Sequence, residues 1–251
     1  MLGAGNVATH ISRHLYSRGH SISCVYSKTE GSATNLAERL NCPGTSSPES
    51  VPPSADFYIV CTPDHVIPEI VQKFQNREGI WLHTAGAVTV EVFKGYHSNF
   101  GVLYPLQTFR KNYQVSLPDT PLLIEGSAPA TTKSIKNLAH AISRNVHEMD
   151  SSSRLVTHLA AVFANNFTNH MVHIAQEILR GHDIDLELID PLVNETFNKL
   201  SDHGATSTQT GPAFRGDNET MKKHLEILKK NPDVEKLYTF ISQNIARTRD
   251  Q

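Results

Sequence analysis

The chain opens on a glycine elbow, Gly3-Ala4-Gly5-Asn6-Val7-Ala8, which leads straight into a helical pattern. Glycine at the first position allows a tight turn from strand to helix, and glycine at the third lets a phosphate group approach the backbone. Small Ala8 lets the helix pack closely on the strand. The free amides and dipole of a helix start attract an anion. The elbow, with Asn6 and Val7, is therefore predicted to bind a diphosphate.

The segments after the elbow alternate between short apolar strands and amphipathic helices, which indicates an α/β fold, a Rossmann doubly wound parallel sheet. A stretch rich in Pro and Ser, 43–53, predicts a loop. This context favours a dinucleotide site at the elbow, although the same fold without a cofactor is the alternative. Predicted strands are 21–26, 56–61, 79–83, 101–104 and 122–125, and predicted helices are 7–18, 32–40, 67–74 and 131–142.

Beyond Asp150 the periodicity is helical, so we predict a nucleotide-binding domain at 1–150 and an all-α domain at 151–251. Asp217 and Asp233 each precede a helical pattern and are predicted N-caps. The predicted helices are 155–180, 186–200, 219–230 and 234–247.

Only Met1 and Leu2 precede Gly3. Two residues make a poor central strand, so we expect the natural chain to begin upstream. The alternative is an unusually short strand.

Composition excludes several classes of protein. Lys+Arg 23 against Asp+Glu 25 leaves a net charge of -2, without the basic excess that nucleic-acid binding needs. The sequence contains no apolar run of the roughly 20 residues that span a bilayer, and no basic-then-apolar leader. Cys24, Cys42 and Cys61 are odd in number and lack close spacing, which argues against disulfides and zinc. The predicted location is the cytoplasm.

The end of the second predicted strand selects between the two common dinucleotides. An acidic residue there would bind the ribose of NAD, but the sequence has Tyr26-Ser27-Lys28-Thr29. Two hydroxyls and an ammonium suit the 2′-phosphate of NADP through charge-assisted hydrogen bonds. Ser27, Lys28 and Thr29 are therefore predicted to select NADP (NADPH), the alternative being that Lys28 is an ordinary exposed lysine.

Ligands of doubly wound sheets bind outside the carboxyl ends of the strands. At those ends we predict that Thr62 and Pro63 flank the cofactor, that Thr84 lies nearer the nicotinamide, and that Gln107 binds substrate. Each of these is also an ordinary turn residue.

A polar stripe on an otherwise apolar helix predicts the reacting centre. At 100° per residue, His158, Asn165 and Asn169 share one side, with Asn166 on the flank. We predict His158, Asn165 and Asn169 as catalytic and Asn166 as substrate-binding. The alternative is a polar seam between helices or between two subunits.

Two further groups of polar side chains are candidates for binding a metal or a substrate. His170, His173 and Glu177 lie on adjoining turns but lack another strong ligand, so no metal site is predicted. Arg215, in the loop Gly211-Pro212-Ala213-Phe214-Arg215-Gly216-Asp217, is predicted to bind a substrate carboxylate, or else to pair with a local acid.

The glycine elbow, the run from Tyr104 to Phe109, the Asn165 helix and the Gly211 loop together resemble a bacterial family of Rossmann-like NADP-binding proteins with a helical C-terminal domain of unassigned function. That family is similar to pyrroline-5-carboxylate reductases, ketopantoate reductases and deazaflavin-dependent NADP oxidoreductases. The resemblance implies a C-terminal domain like that of 6-phosphogluconate dehydrogenase. It also implies a homodimer formed through this domain and an active cleft between the two domains.

The wider superfamily places a catalytic lysine on the first long helix of the second domain, but this chain has no lysine between Lys136 and Lys199. His158 falls near that position, and a histidine side chain suits proton transfer near neutrality. The prediction is an NADPH-dependent reductase of a small keto acid or cyclic imine. The alternatives are a ketopantoate reductase specifically, or an NADP-binding sensor without turnover.

Overall fold

The structure is a computed structural model that describes residues 1–113 and 115–249. The chain divides into two compact units, Met1–Ala164 and Asn165–Gln251. The predicted domain division at residue 150 stays a prediction. Asp150 caps the helix that follows it, accepting a hydrogen bond from the Ser153 amide at 2.7 Å, and that helix belongs to the first unit.

The first unit contains seven strands and five α-helices among its described residues. The strands are β1 Val25–Tyr26, β2 Gly44–Thr45, β3 Ser54–Val60, β4 Glu78–His83, β5 Phe100–Pro105, β6 Leu122–Gly126 and β7 Val146–Glu148. The helices are α1 Asn6–Ser17, α2 Glu30–Glu38, α3 Ile67–Lys73, α4 Pro129–His140 and α5 Ser151–Ala161.

The strands form one layer with helices on both faces, so the predicted Rossmann fold is confirmed. Strands β1 and β2 pair in parallel, and the remaining strands follow in the order β3-β4-β5-β6-β7. Leu2 joins the two groups through parallel bridges to Tyr26 and Val60. The alternation of Tyr58 and Val60 with Ile59 sends side chains into two separate apolar clusters, one on each face of the sheet.

Three details of the sequence prediction for the first unit are wrong. Strand β6 runs antiparallel to β5, because the described residues that connect them contain no crossover helix of the kind a parallel pair needs. The predicted loop 43–53 contains strand β2 and a short 3₁₀ turn, Pro48–Ser50. The predicted strand 21–26 is reduced to the two residues that pair with β2.

The second unit is helical, as predicted. Its helices are α6 Thr168–Arg180, α7 Asp190–His203, α8 Ala205–Thr208, α9 Pro212–Arg215, α10 Asn218–Leu228 and α11 Pro232–Arg249. The predicted single helix 155–180 is interrupted by a π-helical turn, Val162–Phe167, between α5 and α6. Among the described residues of this unit, only Ala213 and Leu228 are buried, whereas Leu188, Leu192 and Phe240 are each at least 66% exposed.

Candidate active site

The elbow requires glycine at position 3. Gly3 has a φ of +117°, and a Cβ atom there would lie 2.4 Å from the carbonyl oxygen of Cys61. The Gly3 amide donates a hydrogen bond of 2.7 Å to the Tyr26 carbonyl, which holds the turn against β1. The backbone at this turn is therefore confined between two strands and has no room for a side chain.

The N-terminus of α1 is open to an anion. Gly5 is its N-cap, and within the described residues no side chain caps the helix and no acidic residue lies in its first turn. Helices α5 and α10 differ, because Asp150 and Asp217 accept hydrogen bonds from their first-turn amides. Ala8 is fully buried, as close packing of α1 on the sheet requires. An approaching phosphate would meet the first-turn amides, starting with those of Asn6 and Val7.

Thr62 and Thr84 follow the carboxyl ends of β3 and β4. The Thr62 hydroxyl is buried and makes no hydrogen bond within the described part of the chain. The Thr84 amide donates to the Val60 carbonyl at 3.2 Å, and the Cys61 amide donates to the Leu2 carbonyl at 2.7 Å. The sheet thus brings Thr62 and Thr84 to the edge that carries the elbow. A dinucleotide bound at the glycine elbow would give the buried Thr62 hydroxyl the hydrogen-bond partner that it lacks. Pro63 is exposed beside Thr62.

The predicted 2′-phosphate residues lie between β1 and α2. Lys28 and Thr29 are exposed, and Thr29 is the N-cap of α2, its hydroxyl donating to Ser32 at 2.8 Å. Glu30 is the nearest acid in sequence, but its carboxylate accepts hydrogen bonds from the Ser46 amide and hydroxyl, which hold its pKa below the ordinary value. No described carboxylate forms an ion pair with Lys28, so its ammonium is available to a phosphate.

His158 of α5 forms a pair with Tyr104 at the end of β5. The Tyr104 hydroxyl and the His158 Nδ1 atom are 3.0 Å apart, and the two rings meet edge to face. Gly86, which follows β4, lies under both rings. A Cβ atom on Gly86 would come within 2.8 Å of the His158 ring and 3.0 Å of the Tyr104 ring. The pair therefore depends on glycine at position 86.

The site contains further charged and titratable groups. Burial raises the pKa of the Tyr104 phenol and the Asp64 carboxylate raises it further, while the Arg154 guanidinium acts in the opposite direction. Burial, together with the Arg154 charge, lowers the pKa of His83 to about 3. His83 is therefore neutral near pH 7, and its Nδ1 accepts a hydrogen bond from the Ala85 amide at 3.2 Å. Of the two histidines, His158 is the partly exposed one and His83 is fully buried.

The other predicted site residues are placed as follows. Asn165, Asn166 and Asn169 belong to the second unit and are exposed. The stripe that grouped Asn165 and Asn169 with His158 assumed uniform helical spacing, and the wider π turn breaks that spacing. Arg215 is exposed at the end of α9. Gln107 is turned onto its own loop, its side-chain oxygen accepting from the Thr108 amide at 2.8 Å.

Sequence reasoning missed three contributors to the site, Gly86, Arg154 and Glu125, and did not pair Tyr104 with His158. Arg154 stands four residues before His158, which is a detectable helical spacing. The contact of either residue with the sheet depends on tertiary packing. His170 and His173 have ring centres 6.0 Å apart, and no cluster of three metal-ligating side chains occurs among the described residues.

Comparison with known proteins identifies the family. Residues 1–81 match the family described as NADP oxidoreductase, coenzyme F420-dependent, and residues 120–245 match a domain of unknown function, DUF2520. Along 98% of its length the chain is similar to a Bacteroides fragilis protein described as a "putative NADP oxidoreductase", with 36% identity, 96% of that chain covered and a TM-score of 0.93. The chain belongs to this family of NADP oxidoreductases with a DUF2520 domain.

Two more distant structures share the fold. A reductive aminase from Aspergillus terreus, crystallised with NADPH and ethyl-5-oxohexanoate, is 14% identical with a TM-score of 0.70, and the alignment covers 98% of this chain and 92% of that chain. A pyrroline-5-carboxylate reductase from Coxiella burnetii is 15% identical with a TM-score of 0.56, covering 99% and 96%. The curated proteins include no significant match.

Family membership confirms the predicted resemblance and the predicted cofactor, NADP. The NADP oxidoreductase match spans the elbow, Lys28 and Thr62, whereas the DUF2520 match begins ahead of β6 and includes His158. Among the described residues, no helix is both long enough and apolar enough to cross a bilayer.

Proposed function

We propose that the protein is an NADPH-dependent reductase that acts on the C=O or C=N bond of a small keto acid or cyclic imine. The observation that carries the proposal is the Tyr104–His158 pair. It lies over Gly86, at the end of β4, in the same unit as the elbow. A reductase needs a bound nicotinamide and a nearby group that transfers a proton. The elbow and the pair supply sites for these two functions.

When bound at the elbow, NADPH would supply the hydride that the substrate carbon accepts. His158 donates a proton to the oxygen or nitrogen of the reduced bond, so that C=O becomes CH–OH, or C=N becomes CH–NH. The Tyr104 hydroxyl holds Nδ1, which leaves Nε2 as the nitrogen that exchanges the proton. Histidine suits the role because it gains and loses a proton near neutral pH. The catalytic roles predicted for Asn165 and Asn169, and the substrate-binding roles predicted for Asn166, Gln107 and Arg215, stay predictions.

Two alternatives remain part of the proposal's test. One is that the substrate is ketopantoate specifically. The other is that the protein binds NADP as a sensor, an idea that the absence of lysine between Lys136 and Lys199 supports. Oxidation of NADPH would be followed at 340 nm (the nicotinamide absorbance) with a panel of 2-keto acids, ketopantoate among them, and cyclic imines. Turnover with any member supports the reductase, whereas tight NADPH binding without turnover across the panel supports the sensor.

Replacing Lys28 with Ala is expected to weaken NADPH binding about ten-fold and to leave NADH binding unchanged. The lysine would form a charge-assisted hydrogen bond with the 2′-phosphate, which NADH lacks, and such bonds contribute about 1.5–3 kcal/mol, less at an exposed site. Dissociation constants from fluorescence titration measure the effect. Lys133→Ala in α4, also at an exposed lysine, is the matched control. Equal weakening for both nucleotides would contradict the assigned role.

Replacing Gly86 with Ala is expected to lower kcat about 100-fold, because the new methyl group displaces the rings of His158 and Tyr104 from their contact. NADPH affinity should be retained. Steady-state kinetics and nucleotide titration separate the two effects. In Gly181→Ala, the control, the nearest atom to the new Cβ would be 3.4 Å away, which the structure can accommodate. Unchanged kcat in Gly86→Ala would show that turnover does not depend on the pair.

The subunit organisation and location are proposed on separate grounds. Large apolar side chains remain exposed in the second unit, among them Leu188 and Leu192 before and in α7 and Phe240 in α11. Exposed apolar surface of this kind marks association sites, and we propose a homodimer formed through the helical unit. Sedimentation of the purified protein tests it. The three cysteines are free, which fits the reducing cytoplasm expected from the sequence.

A further inference from the structure

Arg154 is a fully buried cation one helical turn before His158. Its Nη1 atom donates to the Glu125 carboxylate at 2.5 Å, and its Nη2 atom donates to the Val88 carbonyl at 2.6 Å and to the Ser151 hydroxyl at 3.1 Å. The Ser151 hydroxyl in turn donates to the same carboxylate at 2.7 Å. A buried charge is costly unless it is paired and hydrogen-bonded. The acceptors around Arg154 therefore define one position for its guanidinium.

The geometry of the sheet matches the spacing of Arg154 and His158 along α5. Glu125 of β6 lies opposite Val102 of β5, and Tyr104 is two residues further along β5. Since residues two apart point to the same face, Glu125 and Tyr104 share one face, about 6.7 Å apart along the strand direction. Four residues of an α-helix advance about 6 Å. Arg154 can therefore meet Glu125 while His158 meets Tyr104.

The segment 86–90, which comes after β4, runs alongside α5 and contacts it at alternate residues. The Val90 amide donates to the Ser151 hydroxyl at 3.0 Å, the Val88 carbonyl accepts from Arg154, and Gly86 lies under His158. Alternate residues of this segment thus face successive turns of α5. The hydrogen bonds of Val90 and Val88 fix both the rotation of α5 about its axis and its position along that axis. His158, over Gly86, is held against the sheet by the same arrangement.

We propose that Arg154 and Glu125 are positioning residues, whose partly buried ion pair sets α5 so that His158 lies over Gly86 in hydrogen-bond contact with Tyr104. This inference rests on the proposed function for its catalytic meaning, but the placement of His158 can be measured without turnover. The positive charge also favours ionisation of Tyr104, since the Arg154 guanidinium lowers the pKa of that phenol against the effects of burial and Asp64. Neither residue contacts the hydride acceptor in the proposed reaction.

The test applies histidine NMR to the protein and to three variants that probe the ion pair, with two further variants as spectral references. Arg154→Met removes the guanidinium but keeps an apolar stem. Because it leaves the partly buried Glu125 carboxylate without its ion-pair partner and can impair folding, a double variant with Glu125→Gln removes both charges. Arg144→Met is the matched control. It breaks the Arg144–Asp119 ion pair, also 2.5 Å long, whose side chains are 78% and 74% exposed.

In uniformly ¹⁵N-histidine-labelled protein, the His158 signals are identified by their absence in His158→Gln, and Tyr104→Phe shows the shift that follows loss of the hydrogen bond. We expect Arg154→Met and the double variant to shift the His158 Nδ1 signal as Tyr104→Phe does, with Arg144→Met unchanged. We also expect kcat to fall about 100-fold, as misplacement of a catalytic group by an ångström can cause, with NADPH affinity retained.

An unshifted His158 signal in the folded double variant would overturn the inference, whatever its activity. If the wild-type protein turns over no member of the substrate panel, the proposed function fails, while the NMR result still decides whether Arg154 and Glu125 position His158.

Discussion

Replacing His158 with Gln is expected to reduce kcat at least 100-fold, the lower end of what a positioned acid or base contributes, while NADPH affinity stays the same. Glutamine is close to histidine in size and can hydrogen-bond the Tyr104 hydroxyl, so the packing over Gly86 is largely kept. Its amide does not gain or lose a proton near neutral pH, so the proton-transfer step is lost. Steady-state kinetics with the best substrate of the panel, and titration with NADPH, measure the two quantities separately.

His147→Gln is the matched control, because His147 is an exposed residue of β7 whose ring bonds the Asn145 side chain. Its kcat should equal that of the wild type. If His158→Gln turns over normally, His158 has no part in the chemistry, and the proposal loses the observation that carries it. If the variant loses NADPH binding as well, His158 acts in cofactor binding rather than in proton transfer.

Replacing Gly3 with Ala is expected to remove NADPH binding and to lower the free energy of unfolding by about 3 kcal/mol or more, through backbone strain combined with a steric clash. The φ of +117° is unfavourable for any residue with a Cβ atom. The added atom would also lie 2.4 Å from the Cys61 carbonyl oxygen. That oxygen belongs to the backbone at the end of β3 and cannot move without shifting the strand. The elbow and the first amides of α1 would then be displaced together.

The variant Gly19→Ala separates the effect of backbone strain from the effect of the steric clash. Gly19 also has a positive φ, +87°, but a Cβ atom there meets nothing within 4 Å. This variant should lose about 1–2 kcal/mol from the left-handed backbone alone and bind NADPH normally. Urea unfolding and nucleotide titration of both variants give the comparison. Equal destabilisation by the two substitutions would mean that the close approach to Cys61 contributes little.

The cofactor side of the protein was predictable because its signals are local. The roles predicted for Gly3, Gly5 and Ala8 follow from the backbone geometry of one strand-to-helix turn, and glycine shows that geometry directly in the sequence. The apolar run of β3 predicted a buried strand because that signal, too, lies in consecutive residues. Strand β2 escaped prediction because two residues, Gly44 and Thr45, carry no periodic pattern. The antiparallel direction of β6 depends on the connection between β5 and β6, which periodicity does not describe.

The arrangement of the proposed catalytic residues was predictable only in part. The sequence pointed to His158 by its place on an amphipathic helix, but it also aligned Asn165 and Asn169 with it by assuming uniform turns. The π turn at Val162–Phe167 widens the helical spacing between His158 and Asn169, and the sequence pattern contains no signal for it.

The sequence by itself determined the Rossmann fold and the glycine elbow and predicted NADP as the cofactor, because the signals for each lie in neighbouring residues whose conformation or charge is intrinsic to them. Only the tertiary structure decided that His158 meets Tyr104 above Gly86, and that Arg154 meets Glu125. These partners are 54 and 29 residues apart in the chain. Their contact is set by how strands β4 to β6 align and how α5 packs on them, a long-range arrangement that no local pattern encodes.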